Sequence, residues 1–292
     1  MDGAPAGPRV QGAGAWGPRL SPAALAEALR LPEFPRAAAY DPDWILGNLM
    51  GPNPVWLAEA LVQRMRLQPG MRVLDLGCGR AISSIFLARE LDLQVWATDL
   101  WIGASENWER VRAAGEERRV FPIHAEAHAL PFGAGFFDAL VSLDAYHYFG
   151  TDDLYLAYVA RFVRSGGQLG IVVPGLRREL SAGPPAHLRP YWEPDFSSFH
   201  SPRWWRDHWR RSGLVTAETA DTIPDGWRHW LTWLEVAGRQ GYPSSEPEAA
   251  MLRADAGRTL GFTRLVATRR DQKDSPPPAR SPDDTPPLSA SH

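Results

Sequence analysis

The sequence predicts an α/β fold: a doubly wound, mostly parallel seven-stranded sheet with helices on both faces. Short apolar runs of strand length alternate with segments of helical apolar spacing, the pattern of a parallel sheet covered by helices. Between the first apolar run and the next helical segment lies a two-glycine turn, and several of the later runs end in an acid, Asp99 among them.

Taken in order, Met71 to Leu76 is a buried strand, followed by helical spacing over Ser83 to Arg89. Gln94 to Asp99 is the second strand, and Ser105 to Ala114 a helix that Ser105 can cap. Val120 to Ala125 is the third strand, with Pro122 suited to a sheet edge. Ala139 to Leu143 is the fourth. Thr151 to Val163 reads as a helix with Thr151 as N-cap and Ser165-Gly166-Gly167 as its stop, before a fifth strand over Leu169 to Val173. Leu214 to Ala220 and Phe262 to Thr268 complete the sheet. The segment 176–245 exceeds a minimal alternating unit and is expected to form a tryptophan-rich cap, while residues before the first strand form an N-terminal helical lid.

One domain over 22–270 is expected between two tails. Residues 1–20 are rich in Gly, Ala and Pro, and 271–292 carry six prolines, so neither has a core-forming face and both are expected to be disordered. The net charge of -3, from 31 basic and 34 acidic residues, lacks the surplus that would neutralise a phosphate backbone or an anionic bilayer. Nucleic acid and membrane are therefore not expected as partners. The single cysteine, Cys78, precludes an internal disulfide, and with no leader-like apolar run a cytoplasmic location is expected. Only one basic residue is a lysine, Lys273, whereas tryptophan numbers 13, seven of them between Trp192 and Trp233. Most of these are expected to pack and a minority to line a pocket for a flat or cationic molecule. The run Arg203 to Arg211 mixes basic and aromatic residues, but acids elsewhere balance it.

The strongest local pattern is Val73-Leu74-Asp75-Leu76-Gly77-Cys78-Gly79-Arg80-Ala81. Gly77 and Gly79 allow a tight turn and close backbone approach to a ligand, and the helix beyond offers unpaired N–H groups to a carboxylate. A dinucleotide fingerprint would want glycine or alanine where Ile82 stands. Asp75 is also awkward beside a pyrophosphate but suits, directly or through water, the ammonium of a bound amino acid. Asp99, at the end of the next strand, can accept both hydroxyls of a ribose. Leu100 and Trp101 can sandwich an adenine, and Glu126, next to Ala127, can accept from its amino group. The fourth strand brings Ser142, Asp144, Tyr146, His147 and Tyr148 to the same edge. Cys78 reads as a small buried filler.

These segments resemble the class I S-adenosylmethionine-dependent methyltransferases, in the group that includes the quinone-biosynthesis C-methyltransferases. The likeness is close over about 71–175. VLDLGCGRA resembles the family's first motif, VWATDLW its ribose-binding acid, AEAHALPF its adenine-flanking segment, and FFDALVSLDAYHYF the strand supporting the methionine portion. RFVRSGGQLGIVVP resembles its fifth-strand segment. Ala81 stands where a third glycine is common, Ser165 where proline is common, and Glu126 where aspartate is commoner. The resemblance implies a Rossmann-like methyltransferase fold and methyl transfer from S-adenosylmethionine to a small organic acceptor, on oxygen, nitrogen or carbon. Asp75, Gly77, Gly79 and Ser142 would serve the methionine part, Asp99 the ribose, and Leu100, Trp101, Glu126 and Ala127 the adenine. His147, Asp144 and Tyr146 are the catalytic candidates, with His147 or Asp144 as a base if the acceptor must lose a proton, and no metal is expected. Tyr40, Trp44 and Asn53 are substrate-side candidates in the lid. Competing readings are a relative that binds the cofactor without turnover and a nicotinamide-dependent oxidoreductase. The sequence leaves the acceptor and the oligomeric state open.

Overall fold

The computed structural model describes residues 16–271. Its elements run α1 (Pro22–Ala28), α2 (Pro42–Gly47), α3 (Pro54–Val62), β1 (Arg72–Leu76), α4 (Ile82–Leu91), β2 (Gln94–Asp99), α5 (Ala104–Ala113), β3 (Val120–His124) and β4 (Phe137–Leu143). Then follow α6 (Tyr155–Ala160), β5 (Val163–Leu176), α7 (Pro202–Arg211), β6 (Val215–Thr222), α8 (Gly226–Gln240), α9 (Glu246–Asp255) and β7 (Leu260–Arg269). The strands form one sheet in the order β3-β2-β1-β4-β5-β7-β6. β7 is antiparallel to both neighbours, and β1 to β5 are parallel. Because β1 to β4 are parallel, their carboxyl ends, Leu76, Asp99, His124 and Leu143, lie along one edge, where the order reverses from β1 to β4. β3 is the outer strand beyond β2, which accommodates Pro122 as its sequence requires.

Two apolar layers cover the sheet. One packs α3, α4 and α8 through residues such as Leu61, Phe86, Trp233 and Val95. The other gathers Leu74, Tyr146, Phe162, Trp205, Trp209 and Leu265. Arg264, in β7, is buried and makes a double contact to Asp221 (2.9 and 2.7 Å) while donating to the Ala60 carbonyl (2.6 Å), so its charge is paired where it leaves water.

Several local expectations are corrected. Ser105 lies inside α5, whose N-cap is Gly103 with no side-chain cap. The helix expected from Thr151 begins only at Tyr155, because Asp152 turns its carboxylate onto the Leu154 N–H (2.7 Å) and closes a local turn instead. Ser165-Gly166-Gly167 does not end a helix: it lies within β5, which pairs Val163 with Phe137, shifts register, and resumes at Gln168 with Ala139. The segment 176–245 is not one insertion, since α7, β6 and α8 within it belong to the sheet and its flanking layers, leaving 177–201 as irregular chain over the carboxyl edge.

Residues 1–15 and 272–292, most of the two expected disordered tails, lie outside the described residues. Residues 16–20 are docked: Arg19 donates to Gln240 (2.7 Å), Arg239 to the Pro18 carbonyl (2.9 Å), and Gln240 to the Leu20 carbonyl (3.2 Å). Among the described residues no helix is long and apolar enough to cross a membrane.

Candidate active site

The turn after β1 sets the geometry of the edge. Gly77 has φ +74°, and a Cβ there would stand 2.3 Å from the Ala145 Cβ, so only glycine lets the β1 and β4 loops touch. The Thr98 carbonyl receives the Gly77 and Cys78 N–H groups (2.8 and 3.1 Å), fixing the turn against β2. Ala81, where the sequence departs from glycine, nevertheless adopts φ +59° as the N-cap of α4. Gly77→Ala is expected to combine left-handed backbone strain of about 1–2 kcal/mol with overpacking of about 1–3 kcal/mol. It should lower the melting temperature and weaken cofactor affinity more than tenfold in calorimetry. A variant with unchanged melting and binding would show that the two loops can part without consequence.

Asp99 is buried and holds the loops together. Its Oδ2 accepts the Gly79 N–H (2.8 Å), and its Oδ1 accepts those of Trp101 (2.8 Å) and Ile102 (2.9 Å). Oδ1 thus spends both lone-pair sites on the rim while Oδ2 keeps one, and Asp99 lines a cavity of about 240 Å³. That cavity also meets Gly77, Gly79, Leu100, Trp101, Glu126 and Ala127 from the expected set. Leu100 and Trp101 are exposed at its rim, and the Trp101 ring lies 5.9 Å from that of Tyr148. Glu126 is engaged with its neighbour, accepting the His128 N–H (2.8 Å) and approaching the His128 ring (2.7 Å), which holds its carboxyl below the usual range.

Three expected residues stand behind the wall. Asp75 is fully buried and accepts the Ser83 and Ser84 hydroxyls (2.6 Å each), so it reaches the cavity through Ser83, which does line it. Burial raises the Asp75 pKa to about 6, the two serine bonds opposing that shift. Its other oxygen, Oδ1, has no partner, an orphaned polar atom beneath the proposed methionine seat. Ser142 donates to the Leu76 carbonyl (2.7 Å), tying β4 to β1 and not facing the cavity. Tyr146 is sealed among Phe149, Tyr155, Trp205 and Trp209 and lines neither cavity, so the structure gives its ring a packing position.

A second cavity of about 450 Å³ shares Met50, Gly51, Pro52, Asp144 and Tyr148 with the first. Asp144 follows β4 with φ +52°, an unusual conformation for a residue with a side chain, and its carboxylate packs against Gly51 so closely that a Cβ there would stand 2.4 Å away. Burial, with Glu248 adding repulsion, raises the Asp144 pKa to about 8. His147 faces only the second cavity; it is 3% exposed, its Nδ1 has no partner, and burial lowers its pKa to about 4.

Of the segment before β1, Asn48, Met50, Gly51 and Pro52 line the first cavity, whereas the expected Tyr40, Trp44 and Asn53 do not: Tyr40 donates to Glu90 (3.0 Å) and stacks on Trp44, and Asn53 caps α3 through the Val55 and Trp56 N–H groups. Asn107 and Arg110, on α5, were not singled out: they donate to the Gly79 carbonyl (2.8 Å) and to Asn48 (3.0 Å), joining the glycine turn to that segment. Their spacing on one helix face toward the Gly77 turn was the available signal. Of the seven clustered tryptophans, Trp192 and Trp230 line the second cavity, whereas Trp205, Trp209 and Trp233 are buried in the layers.

This sheet, with its cavity at the carboxyl edge between β1, β2 and β4, is the Rossmann-like fold of the class I methyltransferases. Residues 73–167 match the family described as a methyltransferase domain. It is 31% identical over 116 residues to the methyltransferase GfsG of Streptomyces halstedii, covering 39% of this chain and 42% of that protein. It is 30% identical over 120 residues to the demethylmenaquinone methyltransferase of Mycobacterium tuberculosis, covering 41% of this chain and 47% of that one. The matches thus span less than half the length of these curated relatives. Among solved structures, the geranyl diphosphate C-methyltransferase of Streptomyces coelicolor shares the fold with a TM-score of 0.60 at 19% identity, over 83% of this chain and 85% of that one. A phosphoethanolamine N-methyltransferase of Haemonchus contortus does so with a TM-score of 0.62 at 20% identity, over 78% and 56%.

Proposed function

We propose that the protein transfers a methyl group from S-adenosylmethionine to a small organic acceptor. The observation that carries this reading is the pair of adjoining cavities, with the Gly77 turn and Asp99 on one side and the shared Asp144 and Tyr148 wall between them. The residues present fit the cofactor: the turn excludes side chains, Asp75 is bonded to Ser83, which lines the cavity, and Asp99 lines it with one acceptor site on Oδ2 to spare. Asp75 through Ser83, with Gly77 and Gly79, would hold the methionine part, Asp99 the ribose, and Leu100, Trp101, Glu126 and Ala127 the adenine. Bound there, the cofactor supplies a methyl carbon made electrophilic by its sulfonium. The chain's own task is to align an acceptor in the second cavity toward the shared wall and to exclude water.

Of the catalytic candidates, Asp144 suits proton transfer best, because it sits on the shared wall and its raised pKa matches neutral pH. His147 is neutral there and a weak base, so it serves as a hydrogen-bonding partner of the acceptor. His147→Ala is accordingly expected to raise the acceptor KM severalfold while leaving cofactor affinity intact; an unchanged KM would remove it from the acceptor site. The same reading keeps the protein cytoplasmic, with no nucleic-acid or membrane partner. The molecules bound by two structural neighbours, geranyl diphosphate and phosphomonomethylethanolamine, carry phosphate groups, and among the described residues no lysine or arginine lines the second cavity to receive one. Incubation with isotopically labelled S-adenosylmethionine and a metabolite extract, followed by mass spectrometry, tests the reading. A labelled product supports it, and cofactor binding without any transfer would favour the non-catalytic alternative.

A further inference from the structure

Resting on that reading, we infer that the acceptor is an organic cation, an amine carried on a flat apolar body, seated in the second cavity with its nitrogen at Asp144. Four carboxylates from three separate parts of the chain line this space: Asp144 after β4, Glu193 and Asp195 from the irregular chain over the edge, and Glu248 in α9. Among the described residues no lysine or arginine lines it. Burial raises the pKa of Asp144 to about 8 and that of Glu248 to about 7, so both share protons at neutral pH until an arriving cation favours their charged forms; with Glu193 and Asp195 the wall repels an anionic acceptor and attracts a cationic one. Among the described residues no group of three or more acids, histidines or cysteines is arranged to hold a metal ion, so the charge is spread around a space of organic-molecule size.

The remaining wall is aromatic. Trp192 meets Phe196 edge-on (5.4 Å), Phe196 stacks on Phe199 (4.7 Å), and Trp230 faces them from α8. Ring faces beside carboxylates are the arrangement that holds an ammonium and the flat body attached to it. His147 adds a second, independent sign of a ligand: its Nδ1 is buried without a partner on the wall of this cavity, and a neutral ring there contributes no positive charge. Trp230 donates its indole N–H to Glu248 (2.7 Å), which aims that carboxylate by a fixed contact rather than leaving it to solvent.

The chemistry balances with the groups present. An ammonium has no lone pair for attack, so it first passes one proton to the Asp144 carboxylate. The freed nitrogen pair forms the N–CH3 bond as the CH3–S bond breaks and its electron pair stays on sulfur. The methylated ammonium and the neutral thioether leave, and the proton on Asp144 passes to water. A carboxylate whose pKa is raised toward neutrality is the group suited to receive and then release that proton.

Three probes with one indole body separate the charges: tryptamine, indole-3-ethanol and indole-3-propionate, titrated by calorimetry with and without S-adenosylhomocysteine. Tryptamine is expected to bind at least tenfold more tightly than the alcohol, and the carboxylate more weakly than either. Asp144→Asn, close to isosteric, is expected to lower tryptamine affinity tenfold or more while changing that of the alcohol less than threefold. Equal affinities across the three probes, tighter binding of the alcohol or the carboxylate, no measurable tryptamine binding, or an Asp144→Asn variant with wild-type preference would each overturn the assignment. Failure of S-adenosylhomocysteine to bind the wild-type protein would instead defeat the methyltransferase reading, and the titrations without it keep the two results apart.

Discussion

Asp99→Ala will reduce affinity for S-adenosylmethionine by at least a hundredfold in a calorimetric titration. The carboxylate does two jobs through different lone pairs. Toward the protein it accepts the N–H groups of Gly79, Trp101 and Ile102, which sets the position of the glycine turn and of the rim. Toward the cavity it lines the wall, and in the proposed reading its remaining Oδ2 site accepts a ribose hydroxyl. A hydrogen bond to a charged group contributes about 1.5–3 kcal/mol, so losing it costs roughly one to two decades of affinity. The three released N–H groups add to the loss by loosening the turn. Asp99→Asn keeps one acceptor oxygen and is expected to fall between alanine and wild type. Wild-type affinity in the alanine variant would sink the placement of the cofactor.

The second large effect is on stability. Trp205→Ala removes a fully buried indole that meets Tyr146 and Trp204 and closes the layer between α7 and the sheet. Truncations of this kind cost about 3–5 kcal/mol, because the site relaxes only in part around the lost volume. For a domain of this size that corresponds to a fall in melting temperature of roughly 10 °C. Trp192→Ala is the matched control: it is partly buried on the cavity wall, and its loss should act on acceptor binding with little change in melting. Equal melting temperatures for the two variants would contradict the division of the tryptophans between packing and cavity wall.

The sequence made the strands of the sheet and the glycine turn after β1 legible for a physical reason. Strands buried on both faces, such as Val73 to Leu76 and Leu140 to Leu143, must be continuous apolar runs, and the turn between β1 and α4 tolerates little besides glycine. What failed was punctuation. Thr151 and Ser105 look like helix caps, yet α6 and α5 begin after Leu154 and Gly103, neither of which caps with a side chain, and Asp152 accepts the Leu154 N–H in a local turn. Gly166 and Gly167 look like a helix stop, yet they sit in the irregular start of β5, where an added Cβ on Gly167 would stand 2.5 Å from the Asp138 carbonyl oxygen. The second cavity was legible only at Asp144, His147 and Tyr148. Glu193, Asp195 and Glu248 come from segments without apolar periodicity, and nothing local says that 177–201 and α9 converge on the end of β4. Of the clustered tryptophans, expected mostly to pack, Trp192 and Trp230 line the second cavity, whereas Trp205 and Trp209 are buried in α7 against β6.

Gly51 is tied by its carbonyl to the indole N–H of Trp233 (2.8 Å), a contact between residues 182 positions apart, and it stands on the walls of both cavities beside Asp144. One peptide group therefore belongs to two seats at once. A molecule in either cavity that moved this peptide would change the affinity of the other cavity, and the second molecule would return that change to the first by the same factor.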